Sequence, residues 1–495
     1  MPAPRKSVSV SRKSLSIVTA HESPALIMRK AFEAHAAVAL RLRESTATER
    51  IALIKKLRTA MLAHREDFYA AFLQDMHKSK AEVEGAEFMP VLDEMRHAIG
   101  SLKRWMKPQS VTPVLTSVGS KAQVQMQPRG RVLIIAPWNY PLNQCFCPLI
   151  SAIAAGNTVI LKPSEMTPNV SQLMGEIIRK VFDPTHVAYF EGGQATSSAL
   201  LALPFDHIFF TGSPAVGKLV MAAASKHLTS ITLELGGKSP TIVDETADIQ
   251  LAAENLIWGK FINSGQTCIA PDHIYVHAKV KAKFINAALA ALTKYYGAPA
   301  KRMKNADLTH IVNQRHTQRL SDLLADAKKR GARVIVGGQV DIAECMIAPT
   351  LLDSVNADMR IMQEEIFGPL LPIIEFNDLD EVITQINSNP KPLALYVNSS
   401  DEKRISQILA QTSSGGACVN QCMMHNVQGN LPFGGVNNSG MGSTHGYHGF
   451  KAFSHERSVL TAGRLRLEKL FAPPYTATRF KLIKQIVDTM RLPAL

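Results

Sequence analysis

The chain has 495 residues, 46% hydrophobic and 19% charged. That is too long for a single hydrophobic core and too apolar for disorder, so two large domains are expected. No apolar run reaches the ~18 residues a membrane span needs, and six cysteines without a secretory leader pattern point to free thiols in a reducing compartment, the cytoplasm. The net charge is +14, yet no signature of basic residues interleaved with aromatics accompanies it, which excludes nucleic acid as a partner.

Residues 1–23 open with MPAPRKSVSVSRKSLS, basic and without apolar periodicity, and read as a flexible tail. Residues 24–109 carry apolar positions at helical spacing, and Pro108 closes that block. Between 110 and 131 short β-branched pieces broken by Pro113 and Gly119 read as a protruding arm. RVLIIAP, NTVILKPS, VAYFEGG and DHIFFTGS then read as buried strands, each followed by a helix, and such alternation specifies a parallel, doubly wound α/β sheet. A second series restarts at SPTIVD and runs through HIYVHA, ARVIVGG and LLPIIEF to about 440, which divides the chain into one domain built from 24–109 and 132–236 and another from 237–440. Residues 463–495 are basic, and Phe480, Ile483, Ile486, Val487 and Met490 recur at helical spacing. That amphipathic helix is expected to pack against the chain's own body or a partner subunit; weak contact with an anionic membrane surface is the alternative.

Several stretches bear chemistry. In DHIFFTGSPAVGKL a strand runs through Gly212 and Ser213 into a helix, whose N-terminus offers free N–H groups to phosphate; the spacing is not GxGxxG, and turn geometry alone explains a glycine pair equally well. Lys162 and Glu165 stand at the C-terminal end of a strand, where a carboxylate accepts from ribose hydroxyls, or where the two merely pair on the surface. Strand alternation sets Glu234 opposite Leu233 and Leu235, either on an exposed face or buried, where lost hydration makes it a base near neutrality. Asn139, between Pro137 and Pro141, is a turn residue or a fixed amide donor for an oxyanion. Cys268 lies in NSGQTCIAPD, a small-residue loop and not an apolar run, whereas Cys145, Cys147, Cys345, Cys418 and Cys422 read as small buried hydrophobes. No cysteine pair has CxxC spacing and His445 with His448 make no metal site, so no metal is expected.

Taken in order, APWNYP, VILKPSE, FFTGSPAVG, LELGGKSP, SGQTCIAPD, QEEIFGPLLP and LPFGGVNNSGMG resemble the aldehyde dehydrogenase superfamily from about residue 28 to 461. The flanking residues resemble its dimeric class-three branch, and bacterial coniferyl aldehyde dehydrogenases within it. The resemblance implies an aldehyde dehydrogenase-like fold of two doubly wound domains, the first binding the dinucleotide and the second supplying the thiol, with a small β oligomerisation arm at 110–131 and 450–462 that makes a homodimer. It also implies Cys268 as nucleophile, Asn139 as oxyanion donor and Glu234 as base for thioester hydrolysis. Lys162 and Glu165 match the adenosine-ribose ligands, Ser213 with Gly212 the pyrophosphate cradle, and Glu365 with Phe367 the residues at the nicotinamide ribose. The cofactor implied is NAD, since Glu165 repels a 2′-phosphate, with NADP the alternative; the substrate implied is an aldehyde, aromatic or medium-chain aliphatic. Two positions depart from the pattern: Pro214 stands where Thr or Asn is common, and Asn437 where the branch has Gly. Rival readings are a CoA-acylating relative, which Glu234 opposes because a water-activating base is superfluous there, and a non-catalytic scaffold, which the full set of reactive groups opposes.

Overall fold

The computed structural model describes residues 23–114, 117–464 and 467–490; the expected N-terminal tail, apart from Ser23, lies outside them. Helix Pro24–Leu42 starts at Ser23, whose hydroxyl accepts from the Leu26 N–H at 3.3 Å. Thr46 and Glu49 cap Ala47–Ala63 reciprocally. Arg65–Met76 and Met89–Trp105 follow, separated by the short helix Lys80–Val83 and one π turn, Glu84–Phe88, that turns Glu87 and Phe88 inward together.

Strands β1 (Gln109–Val111), β2 (Lys121–Pro128) and β18 (Ser454–Thr461) form a small antiparallel sheet in which β18 pairs with β2 along its whole length. The first large sheet has the order β17 (Gly440–Met441), β7 (Ser230–Leu235), β6 (His207–Gly212), β3 (Arg131–Ile135), β4 (Thr158–Lys162), β5 (Val187–Tyr189). Its strands are apolar on both sides because helices cover both. Met28 and Phe32 pack with Leu133, Ile135 and Ile160, while Phe146, Leu149 and Ile178 pack with Val132, Ile134 and Val159.

The second large sheet has the order β10 (Arg333–Val336), β13 (Thr350–Asp353), β14 (Leu370–Phe376), β9 (His273–His277), β8 (Pro240–Val243), β15 (Ala394–Asn398), β16 (Gly416–Val419). Two edges depart from the all-parallel expectation: β10 runs antiparallel to β13, and β17 antiparallel to β7. No crossover helix separates β10 from β13, only the hairpin β11 (Val340–Asp341) and β12 (Met346–Ile347), and so short a connection returns the chain antiparallel.

Two further expectations are corrected. The C-terminal helix, Ala477–Thr489, forms, but it does not pack on the chain's own body: no residue of it is buried, Phe480 is 65% exposed, and its main neighbour is the turn Leu467–Phe471. Cys345 is only half-buried, in a left-handed turn at φ 54°. No helix among the described residues is long and apolar enough to cross a membrane.

Candidate active site

A cavity of about 250 Å³ opens at the C-terminal ends of β3, β6 and β7, where the strand order of the first sheet reverses and ligands of such sheets bind. Asn139, Gly212, Ser213, Glu234, Cys268, Glu365 and Phe367 all line it. Lys162 and Glu165 do not; they stand beyond it at the end of β4.

Cys268 is held by its loop. Helix Ile249–Phe261 ends in a turn whose Asn263, Ser264 and Gly265 all have left-handed φ, 52°, 50° and 73°. Gly265 is required there, because a Cβ would run into the carbonyl oxygen of Gly368. The buried Gln266 amide donates to the carbonyls of Asn263 and His310, both at 3.0 Å, and accepts from the Val312 N–H at 2.9 Å. Thr267 Oγ1 meets the Tyr140 hydroxyl at 2.6 Å, and the Tyr396 hydroxyl donates to the Ile269 carbonyl at 2.5 Å. The half-buried thiol between them thus has a fixed backbone on either side. Burial, then the charges of Glu365 and Glu234, push it up to about 12, against the pull of the Cys268 and Ile269 N–H groups.

Asn139 Nδ2 donates one hydrogen to the Gln266 carbonyl at 2.9 Å, which leaves its second N–H for the cavity. Glu234 is 5% exposed, between Thr211 of β6 and Gly440 of β17, and neither carboxyl oxygen has a hydrogen-bond partner. Burial alone raises it well above the usual carboxylate range. The exposed-face alternative for this residue therefore fails.

The opposite side fits a dinucleotide. Ser213 caps the twelve-residue helix Pro214–Ser225, its hydroxyl accepting from the Val216 N–H at 3.4 Å, and Pro214 suits the first turn, where no N–H is needed. The helix N-terminus faces outward beside Gly212, where any Cβ would strike the Phe210 ring, and the nearby Thr211 hydroxyl is buried without a partner. Lys162 is buried, donates to the Pro163 carbonyl at 2.7 Å and meets Glu165 at 3.3 Å, leaving most of the exposed Glu165 carboxylate free. The Glu365 loop is pinned from below: Lys238 pairs with Asp272 at 2.5 Å and donates to the Ile361 and Glu364 carbonyls, Asp272 accepts from the Ile366 N–H at 2.9 Å, and Arg319 holds the Glu365 and Ile366 carbonyls at 3.2 and 2.5 Å. Burial, then the charge of Asp272, raise Glu365 to about 8. Phe367, at φ 49°, stands edge-on to Trp138 with ring centres 5.5 Å apart.

Other residues of the site and its support were unassigned in the sequence. Trp138 and Phe433, in the cavity wall, and Lys238 and Asp272, beneath the Glu365 loop, lie inside the quoted motifs, but nothing in their spacing revealed their tasks; Arg319 and His316, also in the wall, come from helix Gln314–Lys329, which carries no motif at all. Cys147, read as a core thiol, is buried yet forms part of the cavity wall, as does His445. Asn437 adopts φ 55°, the left-handed geometry that glycine favours and asparagine tolerates, so its departure from the family pattern preserves the turn. Among the described residues no group of three or more His, Cys, Asp or Glu is arranged to hold a metal ion.

Comparison with known proteins agrees with this geometry. Residues 9–459 match the aldehyde dehydrogenase family. The chain is 44% identical over 431 residues to 4,4'-diaponeurosporen-aldehyde dehydrogenase of Staphylococcus aureus, covering 87% of this chain and 93% of that one. It is 42% identical over 436 residues to aldehyde dehydrogenase family 3 member B1 of Homo sapiens, covering 88% and 92%. The solved structure of the substrate-bound state of Staphylococcus aureus AldH superposes with a TM-score of 0.88 at 42% identity, covering 93% of this chain and 99% of that one. The chain belongs to the aldehyde dehydrogenase family, in its class-three-like branch, and is an NAD(P)-dependent aldehyde dehydrogenase.

Proposed function

We propose that this enzyme oxidises an aromatic aldehyde of the coniferaldehyde type, or a medium-chain aliphatic aldehyde, to the carboxylate through a thioester on Cys268. One observation carries the reading: a thiol on a fixed loop, a free amide N–H and an unpartnered buried carboxyl share one cavity. The aromatic walls Trp138 and Phe433 suit a flat substrate.

The Cys268 sulfur, as thiolate, adds to the carbonyl carbon, and the resulting oxyanion accepts from the free N–H of Asn139 and the backbone N–H of Cys268. Bound in the cleft, NAD(P) would supply the hydride acceptor. Glu234, made basic by its burial, then takes a proton from the water that attacks the thioester; the carbon–sulfur bond breaks and the carboxylate leaves with the thiol restored. Gly212 and Ser213 would face the pyrophosphate, Lys162 and Glu165 the adenosine ribose, and Glu365 and Phe367 the nicotinamide ribose. The Glu165 carboxylate favours NAD over NADP.

In this reading residues 24–109 and 132–236 form the dinucleotide-binding domain and 237–440 the thiol domain, while the arm at 110–131 and 450–462, with its open β18 edge, joins two copies into a homodimer. Six free thiols support a cytoplasmic location. The uncovered apolar side of the C-terminal helix supports contact with the partner subunit or, weakly, with an anionic membrane surface.

The test is NADH formation with coniferaldehyde, benzaldehyde and hexanal, compared by kcat/KM. Turnover to the free acid, abolished by Cys268→Ala with NAD binding retained, is expected. Accumulation of acyl-CoA when CoA is supplied, or turnover that survives Cys268→Ala, overturns the reading.

A further inference from the structure

Behind the cavity wall, away from the cleft, lies a group of charged side chains that the proposed reaction does not use. Lys78 follows helix Arg65–Met76, and the left-handed turn at His77 (φ 50°) directs it inward. It is 1% exposed. Its ammonium donates to Glu87 Oε1 at 3.0 Å and to the backbone carbonyl of Asn139 at 3.4 Å, and it lies 4.6 Å over the Tyr140 ring and 5.3 Å over that of Phe72. Glu87, delivered by the π turn, uses its other oxygen to accept from the Asn143 N–H at 3.0 Å, in the first turn of helix Pro141–Ala155. Glu82, also beside this cluster, accepts from the Thr309 hydroxyl at 3.0 Å.

A buried ion pair contributes little net stability, because desolvation offsets most of the attraction, and apolar replacements of similar shape are commonly as stable. What the pair does fix is geometry. One ammonium grips the Asn139 carbonyl and the face of the next side chain, its partner Glu87 grips the peptide N–H four residues on, and Asn263 Nδ2 donates to the same Asn139 carbonyl at 2.8 Å. The helix end of the turn that follows β3 is thereby held on both sides of Pro141. We propose that Lys78, backed by Glu87, is a positioning residue that aims the Asn139 carboxamide at the oxyanion. The inference rests on the proposed role of Asn139, and the test separates the two.

Hydrolysis of p-nitrophenyl acetate by the full chain without cofactor is a suitable readout, since acyl transfer to the thiol passes through the same oxyanion and needs no hydride acceptor. Four proteins are compared: wild type, Lys78→Met, Asn139→Ala and the double variant, with iodoacetamide alkylation of Cys268 measured in each as a check on the thiol loop. Asn139→Ala is expected to slow kcat by about 100-fold, and Lys78→Met by about tenfold in the wild-type background but less than about twofold once Asn139 is gone. Alkylation stays within about twofold throughout. An equal factor for Lys78→Met in both backgrounds, or no effect in either, overturns the inference while leaving Asn139 its role. An Asn139→Ala protein as fast as wild type overturns the role of Asn139 and the inference with it. If Lys78→Met does not fold, Lys78→Gln combined with Glu87→Gln takes its place in the cycle under the same criteria.

Discussion

Cys268, the proposed nucleophile, sits where its own anion is disfavoured. Burial and two carboxylates move the thiol from an ordinary 9.0 to about 12, and three pH units correspond to about 1000-fold less thiolate near neutrality. In the cofactor-free protein the rate of iodoacetamide alkylation at Cys268, followed by mass spectrometry of the peptide that contains it, should therefore climb about tenfold per pH unit from about 6.5 to 9.5 without levelling. Glu365 is the larger of the two charge contributions. Above about pH 8, where Glu365 is ionised, Glu365→Gln removes a like charge, lowers the thiol pKa and raises the alkylation rate; Glu234→Gln acts in the same direction and less, and only where that carboxyl is ionised. A plateau below about pH 9 in the wild type, or slower alkylation in Glu365→Gln, would refute the electrostatic account.

Glu234→Gln should still release about one NADH per active subunit in a burst, while steady turnover falls by about 100-fold or more, since in the proposed order hydride departure precedes hydrolysis; stopped-flow absorbance without a burst contradicts that order. Gly265→Ala combines a left-handed φ with a collision against the Gly368 carbonyl, a cost of about 2–5 kcal/mol. A thermal melt several degrees below wild type is expected, and an unchanged Tm would mean the loop relaxes freely. Glu165→Gln should raise the NADP-to-NAD ratio of kcat/KM by about tenfold, the equivalent of roughly 1.4 kcal/mol, and a ratio that does not move removes Glu165 from the ribose contact.

The strand-and-helix alternation was legible because buried parallel strands such as VLII and TVIL are apolar on both faces, and because Gly, Pro and hydroxyl residues mark where each helix starts and stops. Edge direction was not: whether β10 pairs parallel or antiparallel is decided by the missing crossover helix, a property of the connection and not of the strand's own residues. At the site, the thiol and the acid stood out by local context, a loop of small residues and an apolar strand, whereas the amide sits in a turn that suits asparagine and was legible only through the family resemblance. Arg319 and Lys78 did not stand out. HKSKAEVEGAEF reads as a solvated charged stretch, and only the packing of helix Pro141–Ala155 over the π turn drives Lys78 and Glu87 out of water. The C-terminal helix shows the converse limit: its two-sided pattern was plain, whereas the described residues it touches, among them the turn Leu467–Phe471 and Ala472, bury none of it.

After completing the second sheet, the polypeptide returns to hydrogen-bond with the first, Gly440 opposite Glu234 and Met441 opposite Leu233. This stitch ties the two halves together at the very residue that is proposed to activate water. A clamshell opening wide enough to free the acid would have to unzip that two-residue pair, so the backbone that carries Glu234 is braced by the very segment that returns from the other half.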